Sequence, residues 1–155
     1  MRDHLKNKIT ALVLLSILFV LCLPSSGLAQ LYNIRSLEGS SGTSYAIRND
    51  GTLLSWGHNE YGQLGLGSLT PWRTNLPALV YDIRDVKTVD SDWIHVLALK
   101  TDGTVWGWGD NCFGQLGTGS SVGNCGTSQC TPIQVKDPTD PSGFMTDVAA
   151  VATTS

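Results

Sequence analysis

From residue 34 onward, apolar residues come in short runs separated by turns rich in Gly, Asp and Asn, and no stripe of 3.6-residue period forms. That pattern predicts short strands rather than helices. Residues 45–48 and 96–100 read as strands, each followed by an Asp-Gly pair, Asp50-Gly51 and Asp102-Gly103, that permits the positive φ of a tight hairpin. The return strands are predicted at 52–56 and 104–108, with further strands at 78–81, 86–89 and 133–135. In the second return strand, alternation sets Thr104, Trp106 and Trp108 on one face and Val105 and Gly107 on the other. Apolar groups thus fall on both faces, as they do where Leu53 stands beside Leu54, so each sheet needs cover on both sides.

The pattern repeats. Asp50, Gly51, Trp56, Gly57, Asn59, Gly62, Gln63, Leu64 and Gly65 return 52 positions later as Asp102, Gly103, Trp108, Gly109, Asn111, Gly114, Gln115, Leu116 and Gly117. With Thr52 and Gly67, eleven of the eighteen positions from 50 to 67 are identical in the second copy. The register runs upstream without a gap, placing Ile34 over Val86 and Leu37 over Val89. Val148 and Val151 open a third copy at an offset of 62, because 120–131 is longer than its counterpart. About four short strands per period suit one blade of a β-propeller. The fold class expected is therefore all-β, with repeat 1 at 34–85, repeat 2 at 86–147 and a third begun at 148.

The first residues change the setting. Arg2, Lys6 and Lys8 precede an apolar run at 9–23 and a polar stretch at 24–30, and Gly27-Leu28-Ala29 supplies the small residues of a cleavage site before Gln30. Residues 1–29 are read as a signal peptide. Fifteen helical residues reach only about 22 Å, short of a hydrocarbon core of roughly 30 Å, so no stable membrane span is expected after cleavage. Bulky Leu21 argues against a lipid attachment at Cys22. The expected location is extracytoplasmic, where Cys125 and Cys130 could close a small loop disulfide, or Cys112 could pair with either. Residues 30–155 carry 7 basic and 12 acidic side chains, a balance of −5 without the basic stripe that nucleic acid requires.

The repeated string Asp-Gly-Thr-x-x-x-Trp-Gly-x-Asn-x-x-Gly-Gln-Leu-Gly resembles the signature of the regulator of chromosome condensation repeat family. The likeness runs from Ile34 to Gly119, about two thirds of the segment that follows the expected signal peptide. It implies a propeller of about seven blades, and hence a sequence cut short, with blades beyond the two seen here. It departs from the family where a Gly normally stands three residues before a His: here Asp92 precedes His95 and Ser40 precedes Thr43. The family includes a nucleotide-exchange factor docked on chromatin, domains of signalling proteins, a plant sensor of ultraviolet light and a secreted inhibitor of β-lactamase.

The chemistry-bearing residues read mostly as frame. Trp56 and Trp108 occupy matched positions, which fits repeated packing between blades. Trp93 and Trp106 have Ser41 and Leu54 as counterparts, so they are the candidate aromatics of a binding face. No carboxylate or nucleophile recurs around His95, the glycine-rich 62–67 stretch lacks the end of a phosphate loop, and Ser40, Ser41 and Ser44 lack nucleophile-elbow spacing. Asp50 and Asp102 read as hairpin-turn residues. The expectation is a non-enzymatic module with no cofactor, binding an unknown protein or surface ligand through loops on one face, the 120–131 insertion among them. Alternatives implied by the resemblance are an enzyme inhibitor of the β-lactamase-inhibitor type and an exchange factor, the latter opposed by the export signal. If the chain ends at Ser155, open strand edges predict self-assembly.

Overall fold

The computed structural model describes residues 33–40, 42–119 and 128–153. The expected signal peptide, Cys22, Ser41, Cys125 and residues 120–127 of the insertion lie outside the described residues.

Eight strands form two antiparallel sheets. The first holds β1 (Ile34–Ser40), β2 (Thr43–Arg48), β3 (Leu53–His58) and β4 (Arg73–Leu79), in that order. The second holds β5 (Val86–Ser91), β6 (His95–Lys100), β7 (Val105–Gly109) and β8 (Gln129–Gln134), again in order. Even the irregularities repeat: the ladder slips between Ile34 and Ser36 and again between Val86 and Thr88, then between Ser55 and Gly57 and again between Gly107 and Gly109.

Local chemistry explains the central hairpins. Gly51 and Gly103 take φ of 78° and 81°, conformations that cost glycine nothing. Asp50 Oδ1 accepts from the Thr52 amide at 3.0 Å and the Thr52 hydroxyl at 2.7 Å, and Asp102 accepts from Thr104 at 3.0 and 2.6 Å. These bonds hold both aspartates below their usual pKa and start each return strand one residue later than expected, at Leu53 and Val105.

The fourth strands also depart from expectation. They occupy Arg73–Leu79 and Gln129–Gln134, not 78–81 and 133–135. Their first residues pair with the glycine-bearing ends of β3 and β7, His58 with Arg73 and Gly109 with Gln129. A polar start on an outermost strand gives no hydrophobic signal, which is why only the apolar ends were legible. The third copy is likewise not a paired strand. Residues 148–153 carry no ladder, although Val148 N donates to Gly103 O at 3.1 Å, as Val86 N does to Gly51 O at 3.0 Å.

The main core lies between the sheets. Tyr45, Ile47, Leu53, Val80 and Ile83 meet Val86, Val89, Val96, Ala98 and Trp108. Fully burying one aliphatic side chain is worth about 1.5–3 kcal/mol relative to exposing it, so this seam holds the two sheets together. The other face of the second sheet builds the corresponding seam: Leu99, Val105 and Val135, with Leu97, Met145, Val148 and Val151 packed on them. Asn33, Asp85 and Asp147 each precede the first residue of a copy with φ of 79°, 57° and 56°, a left-handed bend that Asn and Asp tolerate best outside glycine.

Candidate functional site

The recurrent motif shapes one end of the molecule. In each copy the motif asparagine, buried at Asn59 and half-buried at Asn111, organises the loop after the third strand. Asn59 Nδ2 donates to the carbonyls of Ser68 at 2.9 Å and Pro71 at 3.1 Å, and its Oδ1 accepts from Leu64 N at 3.2 Å. Asn111 Oδ1 accepts from Leu116 N at 3.0 Å in the same way. The glutamine next to each leucine ties down the aromatic residue before it: Gln63 Oε1 accepts from Tyr61 N at 2.8 Å, and Gln115 Oε1 from Phe113 N at 2.9 Å. Gly57 and Gly109 are dictated by space, because a Cβ there would overlap the Gly42 and Ile94 carbonyl oxygens.

The Gly62–Gly65 turn is also the latch between sheets. Its Gln63 carbonyl accepts from the Tyr45 phenol at 2.7 Å and from the Trp108 indole of the second sheet at 2.9 Å. A Cβ on Gly65 would lie 2.8 Å from Val80 Cγ1 and 3.0 Å from Trp108 Nε1, so only glycine allows this approach. Burial pushes the Tyr45 phenol far above its ordinary pKa, and the Asp92 carboxylate adds to that, against a smaller lowering by the Ser91 hydroxyl.

Placed on this frame, the matched tryptophans differ. Trp108 is fully buried, whereas Trp56 is half-buried and lines an open cavity with Gly42, Arg73 and Asn75. The two unmatched tryptophans part as well. Trp93, in the β5–β6 turn, is 69% exposed, while Trp106 is half-buried against the main core, with its indole bonded to Thr104 Oγ1 and Lys100 Nζ 5.5 Å from its ring centre. In the turn that departs from the family pattern, Asp92 Oδ1 accepts from the amides of Ile94 at 2.9 Å and His95 at 2.8 Å, and His95 Nδ1 lies 2.9 Å from it.

Among the described residues, four of the six exposed aromatics gather at one end, Tyr81 and Phe144 being the other two. The β3–β4, β5–β6 and β7–β8 connections meet there, carrying Tyr61, Trp72, Trp93 and the 86% exposed Phe113. Sequence reasoning singled out Trp93 and missed Tyr61 and Phe113, although both stand at the same variable aromatic position before Gly-Gln-Leu-Gly. Between the two copies of this loop lies a cleft of about 390 Å³, walled by Tyr61, Leu69, Ile94 and Phe113, with Asp110 and Cys112 beneath and Glu60 at the rim. The described tail of the insertion closes one side. Ser128 lines the cleft, and two residues on, Cys130 packs on the Gly62 turn, its carbonyl accepting from Gly67 N at 2.9 Å. Burial raises the Cys130 thiol pKa, and its sulfur lies 3.6 Å from Ser128 O. Cys112 Sγ contacts Asp110 Oδ1 at 3.0 Å.

Comparison with known proteins gives the same picture. The sequence model of the regulator of chromosome condensation (RCC1) repeat matches residues 50–99 and 102–153, and a second model of that repeat matches 34–63. Each longer match runs from the third strand of one sheet into the next copy, across the seam between them. Among curated relatives, the ultraviolet-B receptor UVR8 of Arabidopsis thaliana is 34% identical over 95 residues, 61% of this chain and 20% of UVR8. The E3 ubiquitin-protein ligase HERC2 of Homo sapiens is 39% identical over 84 residues, 52% of this chain and 2% of HERC2. Among solved structures, yeast RCC1 (Prp20) bound to Kap60 aligns with a TM-score of 0.59 at 27% identity, over 70% of this chain and 24% of that one. Prp20p of Saccharomyces cerevisiae, solved in a study of its binding to Gsp1p and histones, aligns with a TM-score of 0.59 at 27% identity, over 71% of this chain and 25% of that one. The chain thus spans a quarter or less of each of these proteins.

Proposed function

Because the chain belongs to the regulator of chromosome condensation (RCC1) repeat family, we propose that it is a non-enzymatic protein-interaction module, placed outside the cytoplasm, that docks its partner on the loop end of its blades. The observation that carries this reading is the concentration of exposed aromatics there, with the backbones of Trp93 and Phe113 contacted by the motif glutamines Gln63 and Gln115. Large aromatics exposed on a rigid frame are the groups that anchor protein interfaces, since they bury much area at little entropic cost. Yeast RCC1, solved with Kap60, gives a precedent for a propeller of this family in a protein complex. The export reading adds the setting: a basic, apolar and small-residue leader at 1–29 ahead of an acidic repeat segment.

The reading is tested by placing a photo-reactive benzoylphenylalanine in place of Phe113 or, at the opposite end of the blades, in place of Phe144. In cells exporting the full protein, a discrete cross-linked species is expected from position 113 and not from 144. Adducts from 144 alone would move the docking surface to the other end, and recovery of the protein in the cytoplasm would remove the export reading.

A further inference from the structure

Deepening that reading, on which it rests, we propose that the cleft between the two loop copies takes an arginine side chain of the partner protein. The guanidinium sits on the Asp110 and Glu60 carboxylates, and the stem lies between Tyr61 and Phe113. The argument begins with which positions are free to vary. In both copies the motif fixes Trp, Gly, Asn, Gly, Gln, Leu and Gly, but leaves open the residues flanking the asparagine, and of these Glu60, Asp110 and Cys112 line the cleft. Asp110 replaces the His58 of the first copy, and Glu60 replaces the Cys112 of the second. The seam therefore brings together a carboxylate from each copy, one at the floor and one at the rim.

Asp110 is only 5% exposed, and among the described residues the donors that reach it are neutral: Gln115 Nε2 at 2.8 Å, Cys112 N at 3.2 Å and Cys112 Sγ at 3.0 Å. A carboxylate drawn out of water on neutral donors alone is poorly compensated, and a cation entering from the open side supplies what they do not. The walls choose the cation. Tyr61 and Phe113 offer ring faces, Leu69 and Ile94 offer apolar cover for a methylene stem, and a planar guanidinium stacks on rings while bonding two carboxylates. The volume of about 390 Å³ is within the range of small-molecule pockets, enough for one such side chain with its backbone at the rim. The −5 balance of residues 30–155 draws a basic partner segment toward this surface.

The test uses the full protein and two probes of one shape, N-acetyl-arginine methylamide and its neutral analogue N-acetyl-citrulline methylamide. Methyl resonances of Leu69 and Ile94 report on the cleft, and those of Val96 and Leu99 on the core. The arginine probe is expected to shift the cleft methyls saturably, at least about tenfold more tightly than the citrulline probe, and to weaken as salt is raised. Glu60→Gln, at an exposed position, and Asp110→Asn should each weaken the arginine probe several-fold with the core resonances unmoved; should Asp110→Asn perturb the core, Glu60→Gln alone decides. Equal binding of the two probes, no saturable shift, or indifference to Glu60→Gln overturns the assignment. Cross-linking through position 113 without arginine preference removes the cleft assignment and leaves the docking face standing. Loss of both removes the reading beneath it.

Discussion

Tyr45 shows how one side chain couples the two copies. Its hydroxyl bonds the Gln63 carbonyl at 2.7 Å within its own sheet, and its ring stands in the core shared with Val86, Val89 and Trp108. Because burial raises its pKa in the folded protein, the folded state holds the neutral phenol. Its contribution is therefore complete below the unfolded value of about 10 and is lost as pH rises beyond it. Tyr45→Phe should cost about 1 kcal/mol at neutral pH, the worth of one buried hydrogen bond, and should flatten the alkaline decline of stability; urea midpoints measured across pH test both. An alkaline limb unchanged by the substitution would mean that another group governs it. The second copy has Leu97 at this position, so the hydroxyl is a local addition to a site that the repeat requires only to be apolar. Single residues were unevenly legible. The Asp-Gly turns were plain, because few residues other than Gly adopt a positive φ. The left-handed Asn33, Asp85 and Asp147 were not, although their alignment just before Ile34, Val86 and Val148 was a usable signal.

At the scale of strands and loops, identity in sequence does not bring identity of surroundings. Trp56 and Trp108 stand on matched strands, yet the second is sealed by the Gly62–Gly65 turn of the preceding sheet and the first faces an open cavity. In the 155-residue chain, Trp108→Ala should cost about 3–5 kcal/mol, the usual cost of truncating a buried tryptophan. Trp56→Ala should cost less, about 1–2 kcal/mol, because only part of its side chain is buried. Equal losses in denaturant unfolding would show that Trp56 is covered as fully as its counterpart. The repeat made the strand count and the hairpins legible. It could not show which apolar face each sheet buries, because that depends on the neighbouring copy and not on the strand's own pattern. Polar beginnings at Arg73 and Gln129 hid the true length of the outer strands for the same reason: their order comes from pairing with β3 and β7.

For the whole molecule, the frame and the proposed docking surface are written in different residues of the same motif. The recurrent residues are mostly buried or half-buried and hold the loops. Of the variable ones, Glu60, Tyr61 and Phe113 face outward while Asp110 is buried at the cleft floor, and together they give the loop end its aromatic and acidic character. Trp93 was legible as a candidate because no tryptophan matched it. The cleft was not, since it joins Tyr61 to Phe113 across a seam between residues 52 positions apart in the chain. The central claim is that this loop end is the docking surface, and the affinity of the cross-linked partner for three forms of the protein tests it most directly. Trp93→Ala with Phe113→Ala should weaken binding by about a hundredfold, as expected for two interface anchors, while Phe144→Ala at the opposite end leaves it unchanged. Undiminished binding by the double variant, or a loss confined to Phe144→Ala, would contradict the account.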